Sequence, residues 1–475
     1  MRSFHLANFG CRASQADGAA LKRQLIEAGF QEASELAEGD IAVLNTCTVT
    51  AAADAKVRRV VRRIHRLNPH CRILVTGCYA QRAPQEIAAL EGVAWVVGNS
   101  HKHRIAQALK WEMAGELRGA ARDHGLAARH QRESTGQRAP VRVSDPTPQF
   151  PAQVWAGEIG TEFHFAPTLA DDRTRPTLKV QDGCSAHCAF CVIPFVRGAS
   201  RSLAPHRVVS EVQELARQGF KEVVLSGINL GSYGRDLNRT INFHGLLERI
   251  LDKTPMARVR ISSIEPMDVT PSLIRLVARE RRLADHFHVP LQSGSDRILR
   301  LMNRRYWTSQ YSDRILAIRE ALPQAGIGAD VMTGFPGETE QDHQASMEFI
   351  DRLPFTYLHI FPYSARPGTA AATRPEQVHG RVAHERVRDL QALIARKRQT
   401  FLEAQTGHTL SALTLAGKGS ESATAITSNY LPVALPIGAL PPNTLADVEV
   451  GRVVAGTLHA YPASSTQSGE LPLMM

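Results

Sequence analysis

The sequence predicts an α/β protein in three parts: an N-terminal parallel βαβ domain, a larger partial (β/α) barrel and a small all-β barrel at the C-terminus. Three observations carry this expectation. Strand-like and helix-like segments alternate at βαβ spacing over about the first hundred residues, and again from about 176 to 365. After Thr406 the segments are short, β-rich and separated by Gly or Pro, as in a small all-β module. The 475 residues, at about 150 per domain, leave room for three domains.

In the first part, residues 1–110, Phe4–Phe9 is extended and runs into Gly10-Cys11, with a helical run of about Gln15–Ala28 behind it. Ile41–Leu44 is a short strand ahead of Asn45-Thr46-Cys47. From Ala51 to Leu67, Val57, Val60, Val61, Ile64 and Leu67 recur at helical spacing. Arg72–Thr76 and Val93–Val97 supply two more strands, the first ended by Gly77-Cys78. A parallel sheet with flanking helices follows, because parallel neighbours need a crossover. From Trp111 onward the periodicity fades among Gly, Pro, Gln and His, so 111–172 reads as a linker or surface insertion.

In the second part, residues 173–405, the strand candidates are Thr177–Val180, Glu222–Leu225, Val259–Ser263, His286–Leu291, Gly328–Met332 and Tyr357–Phe361. Amphipathic helices such as Pro205–Gln218 and Glu338–Leu353 separate them. Six βα units fit a partial or closed parallel barrel with its chemistry at the C-terminal strand ends. A helix over about His379–Ala404 leads to the module of residues 406–462, with strands at Leu410–Leu415, Ala423–Thr427, Leu431–Leu435 and Asp447–Val454. The tail, 463–475, is expected to be disordered.

Lys and Arg total 56 against 46 Asp and Glu, a net charge of +10, and 43% of residues are apolar. That composition excludes a wholly disordered chain and permits a nucleic-acid partner without demanding one. No run of about 18 apolar residues exists, so no membrane span is expected. MRSFHLANFGC lacks the pattern of a signal peptide, and a cytoplasmic location is the expectation.

Seven cysteines, an odd count, point to metal or redox chemistry rather than a disulfide framework. Cys184, Cys188 and Cys191 form C-x3-C-x2-C in QDGCSAHCAFC, at the end of the first barrel strand. Three thiolates on a tight loop can hold three corners of a [4Fe–4S] cluster and leave one iron open to a ligand. The alternative is a zinc site with His187 as fourth ligand, although structural zinc motifs usually arrive as two separated pairs. Cys11, Cys47 and Cys78 lie 36 and 31 residues apart, and each follows a strand directly, in NFGC, LNTC and VTGC. In a parallel sheet the C-terminal strand ends lie side by side, which would bring these thiols together without any local motif. The alternative is three separately buried cysteines. Cys71, at the start of its strand, faces the other end of the sheet and reads as structural.

Between Asp54 and Arg72 stand Lys56, Arg58, Arg59, Arg62, Arg63, Arg66 and Arg72, placed opposite the valines. Such a face suits a phosphate backbone, and a solvated helix face is the bland alternative. The C-terminal module, of a size typical for oligonucleotide-binding barrels, favours RNA.

CSAHCAFC at the end of a barrel strand resembles the cluster loop of radical S-adenosylmethionine enzymes. With the upstream triplet, the ARPGT string at Ala365–Thr369 and the terminal β-module, the chain resembles the methylthiotransferases of that group over nearly its whole length, outside 111–175 and the tail. NTCTVT followed by ADAKVRR (Asn45–Arg59), VTGCYAQ (Val75–Gln81), SSIEP (Ser262–Pro266), HVPLQSGSDRILRLMNRRY (His288–Tyr306) and GFPGET (Gly334–Thr339) are similar to its MtaB-type branch of tRNA enzymes. Two residues depart from the pattern. Ser14 stands where the family commonly has Asn, which bears on the surroundings of the upstream cysteines, and Leu203 stands where many relatives have Arg, which bears on an RNA or cofactor contact.

The resemblance implies an auxiliary [4Fe–4S] cluster on Cys11, Cys47 and Cys78, a radical-SAM barrel with a second [4Fe–4S] cluster on Cys184, Cys188 and Cys191, and a TRAM-like module that grips RNA. It implies transfer of a methylthio group to C2 of N6-threonylcarbamoyladenosine at position 37 of tRNA. That aromatic C–H is not usefully acidic, so cofactors must supply the chemistry. S-adenosylmethionine would be split by the reduced barrel cluster into methionine and a 5′-deoxyadenosyl radical, a second molecule would give the methyl group, and the upstream cluster the sulfur. By resemblance Phe190 packs near the cofactor adenine, and Ser226, Gly227 and Glu265 approach its methionine part. Gln292 and Asp330 line the same pocket, with a capping or barrel-layer role as the alternative for each. Arg366 could meet a substrate carboxylate or phosphate, or an internal carboxylate. Expected partners are the tRNA anticodon stem-loop and an electron donor such as flavodoxin or ferredoxin, with a monomer as the default. Two other readings stay open: methylthiolation of an isopentenyl-adenosine tRNA or a ribosomal-protein aspartate, and a non-catalytic iron–sulfur RNA-binding protein.

Overall fold

A computed structural model of the chain describes residues 2–36, 38–113, 152–164, 174–238, 241–416 and 423–463. These fall into two units, one drawn mainly from Met1–Gly160 together with Phe195–Arg197, the other from Thr168–Pro194 and Gly198–Met475. Among the described residues no helix is long and apolar enough to cross a membrane.

The first unit is a six-stranded parallel sheet. Its strands are β1 (Ser3–Asn8), β2 (Gln31–Glu32), β3 (Ile41–Thr46), β4 (Arg72–Gly77), β5 (Val93–Gly98) and β6 (Gln153–Trp155), in the order β2-β1-β3-β4-β5-β6. β3 is buried along its whole length, which is why IAVL reads as an unbroken apolar run rather than an alternation. One face packs against Val57, Val61 and Ile64 of the helix Ala51–Leu67, the other against Leu21 and Leu25 of the helix Arg12–Glu27. Thr50 starts the former by accepting from the Ala53 amide at 3.2 Å. Helix Arg12–Glu27 begins three residues before the expected Gln15, directly after Cys11.

One expectation needs correction. Part of the segment 111–172 is not linker: Gln153–Trp155 pairs in parallel with β5 and extends the sheet. Three residues are too few to show an alternation, so the strand carries no pattern of its own. Residues 114–151 and 165–173 lie outside the described residues, as does most of the tail expectation, 464–475.

In the second unit β7 (Thr177–Lys179) is followed by the small hairpin-like pair β8 (Gln181–Asp182) and β9 (Arg201–Ser202). Then come β10 (Glu222–Ser226), β11 (Arg258–Ile261), β12 (His286–His288), β13 (Gly326–Thr333) and β14 (Tyr357–Pro362), with helices such as Pro205–Arg217 and Glu340–Arg352 between them. β11-β10-β7 and β12-β13-β14 form two parallel sheets, joined by a bridge between Val259 and Leu283 and by the Ile264 amide donating to the His288 carbonyl at 3.0 Å. Among the described residues β7 and β14 do not pair, so the expected barrel is the partial one.

The long helix Gly380–Glu403 leads into a closed five-stranded barrel of β15 (Thr409–Thr414), β16 (Ala423–Thr427), β17 (Pro432–Leu435), β18 (Leu445–Val454) and β19 (Thr457–Pro462). Closure needs β19, a strand beyond the four expected, which sits between β17 and β18. The turn between β16 and β17 packs against the N-terminal ends of the parallel strands, opposite the Cys184 loop. Arg260 donates to the carbonyls of Thr427 (3.0 Å) and Ser428 (2.8 Å). Glu222, fully buried, takes Arg260 at 2.7 Å, Arg258 at 3.4 Å and Arg175 at 3.5 Å.

Candidate active site

In the first unit, β1, β3 and β4 are neighbours, and Cys11, Cys47 and Cys78 each sit just past a C-terminal strand end. Close approach there requires glycine twice. Gly10 has φ +120°, and a Cβ on it would lie 2.4 Å from Cys47 Cβ. Gly77 has φ +100°, and its Cβ would lie 2.3 Å from the Thr46 carbonyl oxygen. Burial pushes the Cys47 thiol up to about 12, and the nearby Cys11 and Cys78 add to the rise. They are not three isolated core cysteines, whereas Cys71 is one, buried among Val61, Ile64 and Ile73.

Donors are aimed at these sulfurs. Cys11 is the N-cap of helix Arg12–Glu27. Cys78 Sγ accepts from Asn99 Nδ2 at 3.5 Å and from Arg197 Nε at 3.3 Å. Ser14 Oγ lies 3.7 Å from Cys11 Sγ and accepts from Arg197 Nη2 at 3.4 Å. The departure at Ser14 therefore keeps a hydroxyl beside the first sulfur. Arg197 is itself fixed by Asp17 at 2.9 Å. Sequence reasoning missed Arg197 and Asn99, because neither stands near a cysteine of this triplet in the chain.

In the second unit the Cys184 loop follows β8. The Ala186 amide donates to Cys184 Sγ at 3.4 Å, and Asn229 Nδ2 approaches the same sulfur at 3.9 Å. Arg304 Nη1 donates to Cys188 Sγ at 3.3 Å and also pairs with Glu265. Burial raises the Cys184 thiol and pushes Cys191 up to about 12. Iron bound there would reverse that preference and hold the thiols deprotonated. His187 is exposed.

Of the remaining candidates, Ser226, Gly227, Glu265 and Gln292 lie at or beyond C-terminal strand ends, whereas Asp330, expected to end or flank a strand, sits within β13. Ser226 closes β10 and Gln292 bridges to Val331 with φ +68°. Ser226 Oγ, Gln292 Oε1 and Asn229 Oδ1 are buried without a hydrogen-bond partner among the described residues. Ser226 and Asn229 follow β10 and Gln292 follows β12, and the amino-acid and ribose groups of S-adenosylmethionine would satisfy such acceptors. At Gly227 a Cβ would lie 2.9 Å from Gln181 Oε1, whose position is fixed by the Asn229 amide at 2.7 Å. Glu265 has its carboxyl raised by burial, against the opposing Arg304. Phe190 packs against Met302, Met332 and Phe335. Asp330 accepts from two imidazoles, His288 at 3.1 Å and His359 at 3.3 Å.

Arg366 is buried and folds onto its own loop, donating to the Ala365 carbonyl at 2.9 Å and to Ser364 Oγ at 3.3 Å, which fits an internal role. Leu203 is also buried, its amide bonded to the Val180 carbonyl at 2.8 Å. The basic face is smaller than expected. Lys56, Arg59, Arg62, Arg63 and Arg66 are exposed, but Arg58 turns to Tyr79 Oη (2.7 Å) and Glu86 (2.8 Å), and Arg72 stacks 3.9 Å above the Trp95 ring. A nearby phenol, carboxylate or indole draws an arginine inward, and the residue count alone does not show it.

Comparison with known proteins agrees with this geometry. The profile of Uncharacterized protein family UPF0004 matches residues 3–98, and that of the Radical SAM superfamily residues 178–350. The chain is 38% identical to the threonylcarbamoyladenosine tRNA methylthiotransferase MtaB of Aquifex aeolicus, over 89% of this chain and 94% of that protein. It is 37% identical to the MtaB of Bacillus subtilis, over 82% and 79%. A tRNA-2-methylthio-N(6)-dimethylallyladenosine synthase of Pelotomaculum thermopropionicum is 32% identical over 85% and 84%. In fold, the radical S-adenosylmethionine methyltransferase TsrM of Kitasatospora setae superposes with a TM-score of 0.52 at 16% identity, over 78% of this chain and 77% of that one. With two cysteine sites at parallel strand ends and such relatives along most of its length, the chain belongs to the radical S-adenosylmethionine methylthiotransferase family, in its MtaB-type branch.

Proposed function

We propose that this enzyme transfers a methylthio group to C2 of N6-threonylcarbamoyladenosine at position 37 of tRNA. The observation that carries the reading is the pair of cysteine triplets at parallel strand ends, in a chain whose relatives are named for that activity. When bound, two [4Fe–4S] clusters and S-adenosylmethionine supply the radical, methyl group and sulfur that side chains cannot. Cys11, Cys47 and Cys78 would hold the auxiliary cluster, with Arg197, Asn99 and Ser14 orienting their sulfurs. Cys184, Cys188 and Cys191 would hold the other, with Asn229 and Arg304 as donors to sulfur. Ser226, Gly227, Glu265, Gln292 and Asp330 offer polar groups to S-adenosylmethionine, and Phe190 an apolar wall.

The RNA is held in this reading by the exposed cations of helix Ala51–Leu67 and by the closed C-terminal barrel, taken as a TRAM-like domain over 406–462. The preceding domains are taken as 1–110 and 173–405. The partner is the anticodon stem-loop, a flavodoxin or ferredoxin delivers electrons, and the enzyme works as a cytoplasmic monomer.

The test is an anaerobic reaction of cluster-loaded protein with S-adenosylmethionine, a reductant and stem-loop RNA carrying either modified adenosine. A 2-methylthio product on the threonylcarbamoyl RNA is expected. Product on the isopentenyl RNA alone would move the chain to the substrate of its dimethylallyladenosine relatives, and product on neither would overturn the tRNA reading.

A further inference from the structure

Three neighbouring strands of the second unit carry a connected chain of polar side chains, of which Asp330 alone has a part in the cofactor pocket proposed above. β12 presents His286 and His288, β13 presents Gly328 and Asp330, and β14 presents Tyr357 and His359, each pair two residues apart and so on one face. Tyr357 Oη lies 2.7 Å from His286 Nε2 and 3.1 Å from His288 Nδ1. His288 Nε2 and His359 Nδ1 then meet the same oxygen of Asp330, at 3.1 and 3.3 Å. The chain closes up because position 328 is glycine: a Cβ there would lie 2.0 Å from the Tyr357 ring.

The two ends differ. His286 is buried and packs 4.5 Å from the Tyr430 ring of the C-terminal barrel. His359 is 62% exposed, and with Nδ1 turned to Asp330 its Nε2 points to the other side of the ring. Burial opposes charge on Asp330, yet His288 and His359 hold its carboxyl well below the usual carboxylate range, so it is an ionised anchor. Asp330 also acts electrostatically on Glu265, whose partner Arg304 reaches Cys188 Sγ. Along these parallel strands the chain runs from His286 and Tyr357 towards the C-terminal strand ends, so Asp330 and His359 are its members nearer the end at which the Cys184 loop follows its strand.

We propose that His359, held by Asp330 and His288, is the subsite that reads the carboxylate of the threonylcarbamoyl group on the substrate base. The proposal rests on the threonylcarbamoyl reading and deepens it. An imidazolium donates from both nitrogens, one to Asp330 and the other to a substrate carboxylate, so it joins two anions in a charge-assisted bridge. An apolar N6 substituent would desolvate the Asp330–His359 pair and return no hydrogen bond, which penalises the isopentenyl base. His359 is thus a specificity-determining residue.

The experiment compares two stem-loop RNAs, one carrying threonylcarbamoyladenosine and one its methyl ester, with the wild type and with His359→Leu and His359→Gln. Cluster absorbance and melting temperature establish that each variant is folded and loaded. The wild type is expected to prefer the acid over the ester in kcat/KM by about ten- to a hundredfold, the value of one hydrogen bond to a charged group. His359→Leu should bring that ratio to about one, and His359→Gln, which keeps a donor, should restore part of it. An unchanged ratio in His359→Leu overturns the proposal. So does a bound divalent metal, beyond cluster iron, that disappears with His359, since the three ligand atoms lie within 4.8 Å of one another. A wild type active on isopentenyl RNA and on neither of these would instead sink the threonylcarbamoyl reading, and this subsite with it.

Discussion

Replacing Arg260 by Met should loosen the C-terminal barrel before anything else. Arg260 is 1% exposed and serves three acceptors, the Glu222 carboxylate and the carbonyls of Thr427 and Ser428. Its loss leaves Glu222 buried with less compensation and two carbonyls short of a donor. Breaking a buried ion pair from one side costs about 3–5 kcal/mol. At about 2–4 °C per kcal/mol for a body of this size, the apparent melting temperature should fall by about 10 °C. Hydrogen exchange should rise first in Ala423–Thr427 and Pro432–Leu435, the strands flanking the turn that Arg260 grips. The pair also sets a pH signature. Against its burial, Arg260, Arg258 and Arg175 hold the Glu222 carboxyl at about 2, below the ordinary 4.5. Its stabilisation is complete above about 4.5 and is lost as pH falls towards about 2, so the variant's melting temperature should fall less steeply than the wild type's over that range. A melting temperature within 1 °C of wild type, with unchanged exchange in those strands, would refute the reasoning.

Three further outcomes are expected. Gly10→Ala places a Cβ 2.4 Å from Cys47 Cβ at φ +120°, so the purified, reconstituted protein should retain only about half of its iron; full iron content would contradict the role of this glycine. Arg304→Met removes the donor to Cys188 Sγ and the partner of Glu265; cleavage of S-adenosylmethionine should slow about tenfold or more with iron content intact, and the barrel cluster's reduction potential should move, whereas an unmoved potential would assign Arg304 a merely structural part. Changing Arg59, Arg62 and Arg66 together to Gln should weaken stem-loop binding and flatten the slope of log Kd against log salt by about two, at about 0.7–0.9 per phosphate contact; an unchanged slope would show a solvated face.

The position of the cysteines was legible because they recur in phase with strand ends, and strand ends of a parallel sheet converge whatever separates them in sequence. The same periodicity exposed the six barrel strands. What stayed hidden has no local signal. Gln153–Trp155 is too short to show a period. Arg197 meets Cys78 across 119 residues, and Arg304 meets Cys188 across 116. The grip of Arg260 on the Thr427 and Ser428 carbonyls involves backbone groups, which every residue has. His359 carries no signal of its own, because Asp330 comes beside it only through the pairing of β13 with β14.

The central claim is tested most directly in the nucleosides of the cell's own tRNA. Mass spectrometry would compare a strain lacking this gene with strains complemented by the intact gene or by Cys184→Ala. 2-Methylthio-threonylcarbamoyladenosine is expected with the intact gene alone. The same nucleoside at equal abundance in all three strains would contradict it.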